Sequence, residues 1–227
     1  MKATIDVFNC LWQTQLSVPS CATTLPSRAH VVVIGAGYTG LATALQLGEA
    51  GRDVVVLDAM NIGDGASGRN GGQVIPGLKL NPDELHHRFG ESKGRVLADL
   101  VGGAADYVFN LIRRLNIDCD ARQDGWIQAA HHDVALETLR SRAAQWQSRG
   151  GDVQMLDKAR TDQLLGTSIY RGALLDRRAG QLQPYRYVHG LAAAVRALGV
   201  NIFERCAALQ LRRSEGAWTV VTPHGEL

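Results

Sequence analysis

Two short stretches concentrate the residues that can do chemistry. The first is "GAGYTG", residues 35–40, a G-x-G-x-x-G pattern. In such a turn Gly35 permits the tight bend, Gly37 lets the backbone approach a pyrophosphate, and Gly40 lets helix and strand pack closely. The helix that opens here offers unpaired N–H groups and a partial positive charge to phosphate oxygens. Asp58 follows Gly40 by 18 residues, the spacing from which a carboxylate accepts hydrogen bonds from ribose hydroxyls. The second stretch is "GDGASGRNGGQ", residues 63–73, with five glycines, one arginine and no large apolar side chain.

A G-x-G-x-x-G does not by itself distinguish NAD from FAD; the second stretch does. A nicotinamide enzyme passes from the acid into another crossover helix, whereas here a bare loop follows directly. Gly65, Ala66, Ser67 and Gly68 expose backbone N–H groups that can close over a pyrophosphate or ribityl chain. Arg69 can offset phosphate charge, and Asn70 and Gln73 can donate and accept at the polar edge of a flavin.

Other residues read as structural. His86-His87 and His131-His132 are adjacent pairs that point apart on a helix or a strand, so no metal site is expected. Trp126, Trp146 and Trp218 read as core or cap residues, and Tyr185 and Tyr187 as packing. Ser67 lacks a nearby His and Asp, so no nucleophile is assigned. The catalytic residues stay unassigned.

The elements that must position these stretches are legible in the hydrophobic pattern. Residues 30–37, "HVVVIGAG", read as a buried strand, "YTGLATALQLGEAG" as a helix ending at Gly51, and "DVVVLDA" (53–59) as a second buried strand. Together they form a βαβ unit. Apolar residues at 97, 100, 101, 104, 108, 111, 112 and 115 predict one long helix over 95–115. Strands are expected at 125–130, 172–176 and 200–204, helices at 133–149 and 187–198, and a hairpin in "AALQLRR" and "WTVVT" around "SEGA". "GEAGRDVVVLD" and "RALGVNIFE" share the order helix end, glycine, strand, acid, which predicts two returns to one sheet. The expected division is a leader (1–29), a discontinuous FAD-binding domain (30–75 and 185–227) and an inserted substrate or cap domain (76–184).

Composition excludes little and points nowhere else. A formal net charge of +2 gives no electrostatic case for nucleic acid. No run of 18 apolar residues exists, so no membrane span is expected. Cys10, Cys21, Cys119 and Cys206 form no C-x-x-C pair and read as thiols in a reducing, cytoplasmic compartment. The N-terminus lacks a clean secretory signal, since Asp6, Asn9, Gln13 and Gln15 interrupt its apolar residues.

With these residues in view the chain resembles the FAD-dependent amine and amino-acid oxidases of the D-amino-acid oxidase (DAO) superfamily. "VVVIGAGYTGLATALQL", "VVVLDA" and "IGDGASGRNGGQV" carry the likeness, and "NIDCDARQDGWIQAA" and "YRGALLDRRAGQLQPYRYVHGLA" extend it toward the gamma-glutamylputrescine oxidase branch. The resemblance implies an α/β fold with a Rossmann-like, glutathione-reductase-like FAD/NAD(P)-binding domain and an inserted α+β substrate domain. It implies FAD as cofactor and hydride transfer from the carbon beside an amine nitrogen to flavin N5. The imine then hydrolyses to an aldehyde or keto acid, and oxygen or an electron carrier reoxidises the flavin. By position, Gly35, Gly37, Tyr38, Thr39, Gly40, Asp58 and Ala59 would hold the ADP half. Gly65, Ala66, Ser67, Arg69, Asn70, Gly71, Gly72 and Gln73 would hold the pyrophosphate, ribityl chain and isoalloxazine.

The chain departs from the branch in three places. Ala179-Gly180 and Gln183 stand where the branch often has Gly-Gly and histidine, and Asp58 where many relatives have glutamate. It ends at "TPHGEL", short of the family's usual length. The expectation is therefore an N-terminal fragment or truncated product. It would lack a further sheet strand beside a central strand at 31–34, more of the substrate domain, and a loop closing over the flavin, and a separate chain is one possible supplier. Two alternatives stay open: a flavin dehydrogenase or tRNA-modifying enzyme on the same scaffold, and a non-catalytic nucleotide-binding product or half of a split enzyme.

Overall fold

A computed structural model describes residues 10–12 and 24–227 of the chain. Cys21 and most of the expected leader lie outside the described residues. In chain order the elements begin with β1 (Val31–Ile34), α1 (Tyr38–Glu49), β2 (Val54–Leu57), a 3-10 turn (Ala66–Gly68) and β3 (Gln73–Val74). Next come α2 (Pro82–Phe89), α3 (Glu91–Gly102), α4 (Ala104–Leu115), β4 (Trp126–Ala130), α5 (Asp133–Gln147), β5 (Val153–Leu156) and α6 (Lys158–Leu165). The chain continues with β6 (Gly172–Asp176), β7 (Gly180–Gln181), α7 (Pro184–Ala197), β8 (Asn201–Phe203), β9 (Gln210–Ser214), β10 (Ala217–Thr222) and β11 (Gly225–Glu226). These form two compact units. The first holds Met1–Gly72, Leu115–Asp120 and Gln183–Leu227, and the second Gln73–Arg114 and Ala121–Leu182.

In the first unit β1, β2 and β8 form a parallel sheet in the order β1-β2-β8. β2 is central and all four of its side chains are buried, as a strand covered on both faces requires. Each such side chain stabilises the fold by about 1.5–3 kcal/mol. The two helix–glycine–strand–acid segments are neighbours in this sheet, since β2 pairs directly with β8. α1 packs against α7 through apolar stripes that include Leu41, Ala44 and Leu45 on one side and Val188, Leu191 and Val195 on the other. The hairpin forms as β9 and β10, and its turn residues Glu215 and Gly216 both have positive φ, the geometry that matches strand twist. A small core of Val55, Leu57, Phe203, Cys206, Val220 and Leu227 joins the hairpin to the sheet.

In the second unit β4, β6 and β5 form an antiparallel sheet in the order β4-β6-β5. α5 lies on it, with Leu139, Ala143 and Trp146 buried against Ala130, Val153 and Leu174. Arg178 stacks over Trp146 and forms a paired contact with the buried Asp176 carboxylate.

Several expectations are corrected. The single helix over 95–115 is two helices, α3 and α4, broken at Gly102-Gly103. A Cβ on Gly102 would stand 2.8 Å from the Trp146 ring, so tertiary packing selects glycine and glycine breaks the helix. Leu100 is 70% exposed, and Phe109, which the single-helix pattern left off its face, is buried. β1, expected to lack a further neighbour strand in this chain, is an edge strand among the described residues, with Ile34 53% exposed. Trp218 is 60% exposed on β10 instead of capping a core. α7 starts at Pro184, since proline suits the first helical turn. β5 and α6 were not expected, because their short apolar runs lack a clear period.

Candidate flavin site

The first glycine turn sits where β1 ends and α1 begins. Gly35 has φ +104°, and its carbonyl oxygen would lie 1.8 Å from a Cβ on Gly40. Only glycine at 40 lets the helix start that close to the strand end. Gly37 is the N-cap of α1 and has no side chain to cover the helix's orphan donors. The first of those donors, Tyr38 N–H, is given to Ser67 Oγ at 3.1 Å. A Cβ on Gly37 would meet that same hydroxyl at 2.9 Å and no other atom within 3.5 Å.

The second turn repeats the first. Residues 63–68, "GDGASG", are themselves a G-x-G-x-x-G. Gly63 has φ +81°, and its carbonyl oxygen would lie 2.0 Å from a Cβ on Gly68. Gly65 caps the 3-10 turn in the same extended conformation that Gly37 adopts before α1. The second copy of the pattern stands in the sequence, where the expectation is a bare loop whose backbone closes over a pyrophosphate or ribityl chain.

Each turn is braced by an acid from the neighbouring strand. Asp58, at the end of β2, accepts Ala36 N–H at 2.6 Å through Oδ2 and Met60 N–H at 2.8 Å through Oδ1. Glu204, just after β8, accepts Ile62 N–H at 2.6 Å immediately before the second turn, and its other oxygen lies 3.5 Å from Arg196. Asp58 was assigned only a ribose contact, and Glu204 no role. Both braces depend on which strands become neighbours, which no local motif records.

The remaining predicted residues fall as follows. Asn70 is a junction. Its Nδ2 lies within 3.0–3.2 Å of Ser67 O, Ala66 O and Tyr38 Oη, and its Oδ1 accepts Gly72 N–H at 2.9 Å. Tyr38 Oη donates to the Pro184 carbonyl at 3.3 Å, and its ring lies 5.2 Å from that of Tyr187. Burial pushes the Tyr38 phenol above its ordinary range, so it remains a donor at neutral pH. Thr39, Ala59, Ala66, Arg69 and Gly71 are exposed. Gln73 belongs to the second unit, where it pairs with Gln181. Tyr185 and Tyr187 are buried, as packing residues should be. Among the described residues no cluster of His, Cys, Asp and Glu could hold a metal, and no helix is long and apolar enough to cross a membrane. His132 Nδ1 instead caps α5 by accepting Ala135 N–H.

The geometry is therefore that of two stacked glycine turns. They present backbone donors and a helix N-terminus, which is a receptor for a pyrophosphate. Residues 30–227 match the family model described as FAD dependent oxidoreductase (DAO). The chain belongs to the DAO family. Among curated proteins it is 36% identical over 198 residues to gamma-glutamylputrescine oxidoreductase of Escherichia coli K12, covering 87% of this chain and 46% of that protein. It is 36% identical over 197 residues to the probable oxidoreductase OrdL of Haemophilus influenzae, covering 86% and 46%. The chain thus spans about half the length of these relatives. The L-amino acid deaminase structure from Proteus myxofaciens superposes with a TM-score of 0.76 at 22% identity, over 93% of this chain and 46% of that one. The DAO-type fold, with its Rossmann-like nucleotide-binding part and an α+β part inserted, is thereby established, and FAD is the cofactor. The turns fit that group: the donors of the α1 N-terminus face a glycine without a Cβ, and only a rotatable serine hydroxyl stands beside it.

Two predictions follow from this geometry. Gly40→Ala should destabilise the fold by about 3 kcal/mol, because its Cβ collides with a backbone carbonyl. Gly37→Val displaces only the Ser67 hydroxyl and should cost about 1 kcal/mol, yet it should abolish FAD retention. Urea unfolding and flavin content of the purified variants check both.

His189 on α7 supports the second turn from below. Its Nε2 is buried without a partner, and its ring lies 4.4 Å from that of Tyr185. Burial holds its pKa below the ordinary value. Arg196 acts in the same direction, while Glu204, Asp64 and a hydrogen bond with the Ile62 backbone oppose it. The unfolded chain therefore binds more protons here, so stability rises with pH in this window. The contribution should be complete above about pH 6.5 and be lost progressively below it. His189→Gln should flatten that part of the stability–pH profile, measured by denaturant unfolding between mildly acidic and neutral pH.

Proposed function

We propose that this chain carries the cofactor-binding part of an oxidoreductase that oxidises the C–N bond of a small amine or amino acid, with a gamma-glutamylputrescine-like substrate. The observation that carries the reading is the pair of stacked glycine turns, taken with the 36% identity to a gamma-glutamylputrescine oxidoreductase. The first unit serves as the FAD-binding domain and the second as the substrate or cap domain.

In this reading the α1 N-terminus and the backbone donors of residues 65–68 receive the pyrophosphate, and Arg69 offsets its charge. Asp58 has both oxygens committed to backbone donors and keeps its remaining lone pairs for ribose hydroxyls. Tyr38 and Asn70 fix the loop that follows, and Gly71 and Gly72 line the flavin end. When bound, FAD supplies the hydride acceptor for oxidation of the carbon beside the amine nitrogen. Oxygen or an electron carrier takes the electrons onward.

The outer edge of β1 has no partner strand among the described residues. This supports a second element of the proposal: a further segment, in the same or a separate chain, pairs there before turnover.

The test is anaerobic mixing of the flavin-loaded protein, carrying that further segment in cis or in trans, with gamma-glutamylputrescine, related amines and a 2-hydroxy acid. An amine should bleach the flavin and release peroxide once air is admitted. Bleaching by the hydroxy acid with every amine inert would overturn the C–N assignment.

A further inference from the structure

A segment outside the glycine turns reaches them. Residues 10–12 precede β1 by some distance in sequence, yet Trp12 Nε1–H donates to the Asn70 carbonyl at 3.1 Å. The Trp12 carbonyl in turn accepts from Gln183 Nε2 at 3.0 Å. The Cys10 sulfur lies 4.0 Å from the Gly68 carbonyl oxygen. Gln183 is 5% exposed, and its other side-chain atom, Oε1, accepts Arg186 N–H as the N-cap of α7. Trp12 therefore ties the loop after the second glycine turn to the start of α7, and both lie in the first unit.

We propose that Trp12 is a positioning residue that clasps the 66–72 loop in the conformation used for FAD. The proposal rests on the FAD-binding reading. The loop contains Gly68, Gly71 and Gly72, and glycine backbones lose more freedom on ordering than any other. A loop left free orders only when its ligand arrives, and that cost is subtracted from affinity. A clasp formed before the ligand arrives removes part of the cost. Asn70 is the right point to hold. Its side chain already gathers Tyr38, Ala66, Ser67 and Gly72, so fixing its carbonyl fixes the whole loop.

The experiment compares the wild-type protein with Trp12→Phe, which keeps a ring but loses the indole donor. Leu11→Ala serves as the control on the same turn, where Leu11 is 71% exposed. Two readouts are taken: hydrogen exchange of the 66–72 amides without cofactor, and FAD dissociation rate with affinity. Losing one such hydrogen bond corresponds to a roughly five-fold weaker FAD affinity, appearing as faster dissociation. Trp12→Phe should also speed exchange in residues 66–72 while α5 exchanges as in wild type. Wild-type exchange and dissociation in Trp12→Phe would overturn the clasp, and so would a rise in exchange spread equally over α5. Should the wild-type protein bind no FAD, the cofactor reading fails, and the exchange comparison decides the clasp on its own.

Discussion

The hydrogen bond from Tyr38 N–H to Ser67 Oγ is where two copies of one device meet. Each copy opens on a glycine of positive φ, Gly35 directly after β1 and Gly63 in the loop that follows β2. The carbonyl of that glycine crowds a second glycine five residues on, and an extended glycine caps the turn between them. A Cβ at Gly40 would separate strand end from helix start, and a Cβ at Gly68 would push the 3-10 turn away from Gly63. The donors left over at the α1 N-terminus must then find a partner, because an unpaired buried N–H is costly. In this structure the second turn supplies one, and a pyrophosphate is the chemistry such donors suit.

The rest of the first unit keeps the two turns in place. β2 separates β1 from β8, so the acid that ends each following strand lies beside the preceding turn. Asp58 braces the first and Glu204 the second. α7 underlies both, with Pro184 holding Tyr38 and His189 lying below the loop that Glu204 anchors. Fold alone would not assign chemistry. The assignment comes from the glycine geometry together with the family match over residues 30–227.

What was legible in the sequence was local. A β-branched run ending in glycine announced β1, a second buried run announced β2, and the spacing from Gly40 put Asp58 at the end of β2. The helix–glycine–strand–acid echo announced that β2 and β8 share one sheet, and their direct pairing is what the structure adds. What was not legible needed partners distant in sequence. The break between α3 and α4 depends on Trp146 pressing on Gly102. The brace by Glu204 depends on which strand lies beside β2. The Trp12 contacts join residues 58 and 171 positions apart, and no periodicity records such a pairing. The second G-x-G-x-x-G was in plain view, but its likeness to the first is a likeness of backbone shape, which a bare, glycine-rich composition does not record.

The central claim is that the stacked turns are selective for FAD. The most direct measurement is a pair of equilibrium titrations of the purified, cofactor-stripped protein, one with FAD followed by flavin fluorescence and one with NADPH. The account predicts saturable quenching of flavin fluorescence, reversed on denaturation, and no binding of NADPH. Saturable NADPH binding with flavin fluorescence unchanged would contradict it.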